Sequence, residues 1–321
     1  MSDRAESSRT ETRGEPPRTV HVPVMLKEVL QFLHLERGLI VVDGTVGAAG
    51  HSREILHRIG PRGTLIGLDR DARMLEIAAL QLSGLSCHLH QASYADLPRV
   101  LADLKIPAVD RILLDLGLSS DQLADHSRGF SFTSEGPLDL RFDTTQGEPA
   151  AELVMRLGEQ ELADIFERYG EEPQARRMAR NLIEWRARQP IRTARDLADA
   201  VAGVRPHEKP PSRRPRSPGD RHPATRIFQA LRIAVNHELE QLEIALGGVL
   251  YDCLKPGGIL VVISFHSLED RLVKQAFRDS NLWQLLSPKA ITASPAEQRF
   301  NPRSRSARLR AVKKLPPAKP T

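Results

Sequence analysis

LIVVDGTVGAAGHSREIL, residues 39–56, decides the fold. An apolar run ends at Asp43. Glycines follow at 44, 47 and 50, and a helical pattern begins at His51 or Ser52. Strand, glycine turn and helix in that order form one unit of a cofactor-binding sheet, with the ligand where turn meets helix. Glycine lets the backbone turn sharply and approach a ligand closely. The spacing is not the GxGxxG of dinucleotide sites, so the turn alone does not name its ligand.

Outward from this unit the rhythm repeats. Strand patterns cover Leu39–Asp43, Thr64–Asp69, Cys87–Gln91 and Val109–Asp115, with helical patterns over Ser52–Ile59, Ala72–Leu82 and Leu97–Leu104. Near-continuous apolar strands between helices predict a parallel sheet covered on both faces. The rhythm stops after Asp115. A long loop, 119–149, precedes apolar spacings of three and four at Leu153/Leu157, Leu162/Ile165/Phe166/Tyr169 and Met178/Leu182/Trp185. Each spacing makes one apolar helix face. A Pro- and Arg-rich stretch, 203–223, follows. A helical pattern then runs from Ile227 to Leu246, and KPGGILVVISF (255–265) reads as a turn and a fifth strand. The expected fold is α/β: a doubly wound, mostly parallel, Rossmann-like sheet with an inserted all-helical domain. Its expected parts are a disordered tail at 1–20, a discontinuous sheet domain at 21–119 and 224–313, a helical domain at 120–223, and a second tail at 314–321.

The 321 residues are 40% hydrophobic, enough for a substantial core, and the net charge of +5 favours an anionic partner. Cys87 and Cys253 are far apart and no CxxC occurs, which predicts a reducing compartment, no disulfide framework and no metal site. No apolar run approaches the ~20 residues of a membrane span. The N-terminus has no apolar signal core. The expectation is a soluble, cytoplasmic protein.

Carboxylates discriminate among cofactors. Asp69 ends the second strand, 22 positions after Gly47, where an acid grips two ribose hydroxyls. NAD and S-adenosylmethionine share that ribose. Asp43 stands directly before the turn, where it would repel a pyrophosphate and suit a cationic sulfonium and amino group. Asp115 adds a third acid at the same sheet edge. Three acids and no basic phosphate clamp favour S-adenosylmethionine; a dehydrogenase gains nothing from Asp43. Each acid alone also reads as a helix cap or turn residue.

Several longer segments now resemble one family. HVPVMLKEVL (21–30), VDGTVGAAGHS (42–52), LDRD (68–71), LLDLGLSSDQL (113–123), RGFSF (128–132), GPLDLRFD (136–143), HPATRIFQALRIAVN (222–236), ISFHSLEDR (263–271) and NPRSRSARLR (301–310) are similar, in the same order, to the bacterial cytosine-N4 methyltransferases of small-subunit ribosomal RNA. The resemblance spans about 21–312. It implies an S-adenosylmethionine-dependent enzyme acting on the small ribosomal subunit, in its 16S ribosomal RNA. It also implies cofactor contacts from Ala49, Gly50, His51, Asp69, Tyr94, Asp115 and Gln122, beside Asp43 and Gly47 from the acid and turn pattern. Two departures stand out. The family turn is richer in glycine, whereas Ala48-Ala49 precede Gly50 here, and Tyr94 stands where Phe is frequent.

Methyl transfer to an amine is an in-line displacement that demands alignment and exclusion of water. The cytosine amine is a poor nucleophile, and acceptors that bond its N–H groups favour the developing cation. Asp115-Leu-Gly-Leu118 lies where such acceptors belong; Asp115 serves either the amine or the cofactor. His266 in SFHSLEDR is a second catalytic candidate, for bonding RNA or orienting a neighbour, while Ser267 reads as the cap of the next helix. Asp139 and Arg141 read as an internal ion pair. A target base must leave its stack, and Phe130, Phe132 and Phe265 are candidate platforms or core residues. Residues 299–314 hold seven Lys or Arg and no acid. Arg303, Arg305 and Arg308 there are candidate phosphate contacts, on a strand whose Ala307, Leu309 and Ala311 alternate inward. The alternatives are transfer to a DNA base or protein amine, or a non-enzymatic ribosome assembly factor. A homodimer is the expected assembly.

Overall fold

The computed structural model describes residues 23–131, 135–204 and 223–316. Helix α1 (Leu26–Leu33) leads into β1 (Ile40–Asp43), α2 (Gly50–Ile59), β2 (Thr64–Asp69), α3 (Ala72–Gln81), β3 (Cys87–Gln91), α4 (Leu97–Asp103) and β4 (Val109–Asp115). This is the alternation expected: all four strands end at the expected residue, and only β1 starts one residue later. Helices α5 (Ser120–Ala124), α6 (Ala150–Arg156), α7 (Glu159–Gly170), α8 (Ala175–Arg186), α9 (Ala194–Val201) and α10 (Pro223–Asn236) come next. Then follow α11 (Glu238–Ile244), α12 (Leu250–Cys253), β5 (Leu254–Ser264), α13 (Ser267–Ala276), β6 (Trp283–Leu285), β7 (Ile291–Thr292), α14 (Pro295–Phe300) and β8 (Arg308–Lys314).

The strands form one sheet in the order β3-β2-β1-β4-β5-β8-β6, with β7 also on β8. The first five are parallel, and β8 runs antiparallel to β5. The order reverses between β1 and β4, so the crevice for a ligand lies at the carboxyl ends of those strands. Asp43 and Asp115 are those ends. Direction matters for β8 as well. Arg308 pairs with Ser264 at the carboxyl end of β5. The chain just before β8 therefore emerges at the same edge as the acids.

Apolar side chains from Phe130 to Leu231 form a cluster of their own. Sheet-domain side chains form two more clusters, on the two faces of the sheet. Helix α10 gives Ala224, Ile227, Phe228, Ala230 and Leu231 to the helical cluster, so that cluster reaches past residue 223. Two local expectations need correction. The loop 119–149 contains α5, started by a reciprocal Ser119/Gln122 capping box. The single helical run from Ile227 to Leu246 is broken at His237, which takes a left-handed φ of 51°. The Asn236 side chain explains the break: its Oδ1 accepts from Phe142 N (2.8 Å) while its Nδ2 donates to Leu140 O (2.7 Å). Helix α9 was not expected from apolar spacing; a Thr193/Asp196 capping box marks its start. The Pro/Arg-rich stretch and both tails lie mostly outside the described residues. Among those described, no helix is long and apolar enough to cross a membrane.

Candidate active site

A cleft opens at the carboxyl ends of β1, β2 and β4. Its floor is the glycine turn. A Cβ at Gly44 would sit 2.4 Å from Leu114 Cδ2 and 3.1 Å from Tyr94 Cβ, so the turn lies close on β4. Gly47 has φ +48° and Ala49 φ 66°, and Ala49 caps α2. Ala49 thus holds a left-handed conformation that usually costs an L-residue about 1–2 kcal/mol. Gly47, Gly50, His51, Asp69, Tyr94, Asp115, Gln122 and Arg303 all line the cleft.

The acids are held by main-chain donors. Asp69 Oδ2 accepts from Gly47 N (2.9 Å) and Oδ1 from Asp71 N (2.9 Å). Burial still pushes its carboxyl up to about 6. Each oxygen keeps one acceptor site for a ligand hydroxyl. Asp43 does not line the cleft. It is buried under the turn, where Oδ2 accepts from Ser52 Oγ (2.6 Å) and Oδ1 from Thr45 N (3.2 Å). Burial raises its pKa too. Its place ties turn to helix and sets it behind the ligand's walls.

Asp115 is different. Its Oδ1 is buried with no protein partner, and its Oδ2 lies 3.5 Å from His51 Nε2. Both His51 ring nitrogens are likewise buried without a hydrogen bond. Leaving such groups unmatched costs about 1–3 kcal/mol each. A carboxylate oxygen and an imidazole at a cleft wall therefore fit a polar ligand that brings donors and acceptors of its own. Tyr94 opens a short 3₁₀ turn at the rim, and burial raises its hydroxyl pKa. The Gln122 side chain is already committed. Its Oε1 accepts from Ser119 N (2.9 Å) and its Nε2 donates to Asp71 Oδ2 (2.8 Å). Arg128 Nη1 bonds the same Asp71 oxygen at 2.7 Å, so α3, α5 and the loop share one buried network.

Arg303 enters from the segment before β8. Its guanidinium donates to Leu118 O and to Ser120 Oγ (2.9 Å), which pins the loop after β4. Burial lowers its pKa against the pull of Asp115 and Asp121. Arg308 and Arg310 turn to Asp270 at 3.0 and 2.7 Å. Burial pushes Asp270 up, but the two guanidiniums outweigh it and hold it low. Arg305 is exposed, with Nε 3.3 Å from Gln298 O.

The remaining candidates among the described residues lie off the cleft lining. Phe130 is buried in the helical cluster and stacks on Phe142, ring centroids 5.9 Å apart. Phe132 lies outside the described residues. Phe265 is half-buried against Gly117 of the post-β4 loop. His266, not Ser267, is the N-cap of α13: its Nδ1 accepts from Glu269 N (3.4 Å), and its Nε2 lies 3.2 Å from Glu269 Oε1. Ser267 is free to leave the cap because its hydroxyl bonds Glu171 across the surface. Asp139 and Arg141 form the bidentate pair expected of them, at 2.7–2.8 Å.

The wall residues not anticipated include Phe142, Glu238 and Glu269. Glu238 reaches the cleft because the helix breaks at His237, and Arg232 grips it bidentately at 2.8 and 3.0 Å. The available signal was Asn236, a weak residue inside a helical run. Burial pushes Glu269 up, but His266, Phe265 N and Arg232 together hold it below its ordinary value. Among the described residues no group of three His, Cys, Asp or Glu is placed to hold a metal ion.

This arrangement can be set beside known proteins. The MraW methylase family model matches residues 18–315. A ribosomal RNA small subunit methyltransferase H of Syntrophotalea carbinolica is 48% identical, covering 92% of this chain and 98% of that one. Proteins of the same name from Syntrophobacter fumaroxidans and Thermomicrobium roseum are 46% and 45% identical, over 93% and 98% of this chain and 97% and 98% of their own. A likeness that runs nearly end to end, together with a family model spanning the sheet and the helical cluster, leaves one conclusion: the chain belongs to the MraW methylase family.

Proposed function

We propose that this protein transfers a methyl group from S-adenosylmethionine to the exocyclic N4 amine of a cytidine in small-subunit ribosomal RNA. The observation that carries the reading is Asp115: a buried carboxylate oxygen without a protein partner, at the switch point of the sheet of a methylase-family chain. When bound, S-adenosylmethionine supplies an electrophilic methyl on a sulfonium.

The chain's own residues then divide the work. Asp69, oriented by Gly47 N and Asp71 N, accepts the ribose hydroxyls with its free acceptor sites. Tyr94 offers a ring face to the adenine. Asp115, Glu238 and Glu269 give the cleft a negative wall that suits a cation. Asp115 Oδ1 accepts an N–H of the cytosine amine and turns its lone pair toward the methyl. Transfer would join the amine nitrogen to the methyl as the methyl–sulfur bond is given up, and the methylated amine, then acidic, would release a proton to water. Arg303 fixes the backbone of residues 118–120, so the acceptors are in place before the base arrives. The helical segment 120–223 serves as the substrate-recognition domain. Arg303 grips its own chain, so phosphates are left to Arg305 and the exposed side of Arg308. A ribosomal substrate sets the place of work in the cytoplasm, and the homodimer is tested by light scattering.

The test is product identification. Labelled S-adenosylmethionine and purified protein are incubated with small subunits from cells lacking the enzyme, with free ribosomal RNA and with duplex DNA. The expected product after digestion is N4-methylcytidine from the ribosomal material. Label in DNA, in protein or in another nucleoside overturns the substrate. No transfer with cofactor still bound favours the assembly-factor reading.

A further inference from the structure

We propose that Phe300 is a stacking platform for an unpaired base of the RNA strand that flanks the methylated nucleotide. This rests on the reading above and adds a recognition site to it. Among the described residues Phe300 is the one exposed aromatic side chain; it is 90% exposed. A phenyl ring normally gains from burial, so its display at a rim asks for an occupant.

The ring is presented by a docked element. It ends α14, whose start is capped by Ser294 Oγ accepting from Glu297 N (3.2 Å). Glu297 Oε1 in turn accepts from Met25 N (2.7 Å), two residues after Pro23 of the cleft wall. Gln298 Nε2 donates to Ala293 O (2.9 Å). The arm is thus braced within itself and tied to the start of α1 by Glu297, while its last side chain faces solvent. Three residues on, Arg303 reaches into the cleft. Phe300 therefore stands three residues from a side chain of the cleft lining.

Its neighbours identify the occupant. Arg299 and Arg305 are exposed beside it, and residues 299–314 contain no acid. A protein partner would ask for a contiguous apolar core depleted of charge. A lone ring among cations instead matches single-stranded nucleic acid, with phosphates for the arginines and a base face for the ring. Every base has such a face, so the contact positions the strand without reading its sequence.

The experiment uses the full chain with Phe300→Ala and Phe300→Trp. Removing a stacked base contact is expected to raise KM for small subunits about tenfold, with cofactor affinity and oligomeric state unchanged. Phe300→Trp is expected to restore KM. Trp185 and Trp283 are both buried, so the new indole reports separately, and a single-stranded RNA oligonucleotide should quench it while cofactor does not. An unchanged KM in Phe300→Ala with no quench in Phe300→Trp overturns the platform. So does a change of oligomeric state with RNA affinity intact, which would assign the ring to a second copy. The quench is read without turnover, so failure of the methylation reading remains distinguishable from failure of this one.

Discussion

The acids of the sheet edge and the arginines of residues 299–310 share one cleft through Asp69, Asp115 and Arg303, yet the two groups are held in opposite ways. Asp43 is wired to Thr45 N in its own βα unit, and Asp69 to Asp71 N in its own unit and to Gly47 N of the neighbouring one. Their places follow from strand ends and from the turn. The arginines depend on partners far along the chain. Arg303 folds inward onto Leu118 and Ser120, Arg308 and Arg310 close on Asp270, and Arg299 and Arg305 stay in solvent. Local wiring makes a rigid small-molecule pocket. Distributed partners leave a few cations free for a large polyanion.

The strongest way to break this contrast is at Asp115, the acid without wiring. Asp115→Asn is expected to slow methyl transfer about 10²–10³-fold, the usual loss for one preorganised charge-stabilising group, while cofactor affinity changes much less. Single-turnover rates beside calorimetric cofactor binding check it. Equal losses in both would assign Asp115 to the cofactor.

Asp69 sharpens the same side. In the folded protein its carboxyl titrates at about 6, against an ordinary value of 3.8. Between these values the folded chain holds the extra proton, so this group's contribution to stability is present at low pH and is lost as pH rises through about 6. Cofactor binding has the opposite sign, because the ionised carboxylate accepts the hydroxyls. Affinity is expected to fall as pH drops below about 6. Asp69→Asn should weaken cofactor binding about tenfold and flatten that pH dependence, read by titration calorimetry at several pH values.

On the other side, Asp270→Ala strands two arginines. The expected loss is about 1–3 kcal/mol of folding stability, measured by urea unfolding, because a shielded acceptor is removed from charged donors. The smallest effect is at Ala49. Ala49→Gly removes left-handed strain but loosens the unfolded chain, so stability should change by less than about 1 kcal/mol, toward the stable side.

The same contrast explains what was legible. β2, β3 and β4 were readable to the residue: β2 and β4 because a buried strand is a run of apolar letters that ends at its polar residue, and the partly exposed β3 (CHLHQ) from its place in the strand–helix alternation. The capping box of α5 was legible in principle, in Ser119 and Gln122. The break at His237 was not, because it answers to Asn236 bonding a loop almost a hundred residues away in sequence. Asp43 was placed at the correct strand end and given the wrong neighbour, since sequence position does not tell which side of a turn a carboxylate faces. The seven basic residues of 299–314 look alike as letters. Their different fates were set by Leu118, Ser120 and Asp270, none of them local.

The most direct measurement is a double dissociation. Cofactor affinity and RNA affinity are determined for Asp69→Asn and for the pair Arg299→Gln/Arg305→Gln. The predicted result is that the first loses cofactor affinity and keeps RNA affinity. The second should keep cofactor affinity and lose RNA affinity, with a shallower salt dependence. If the arginine pair weakens the cofactor, or leaves RNA binding and its salt slope unchanged, the division of labour between the two regions is contradicted.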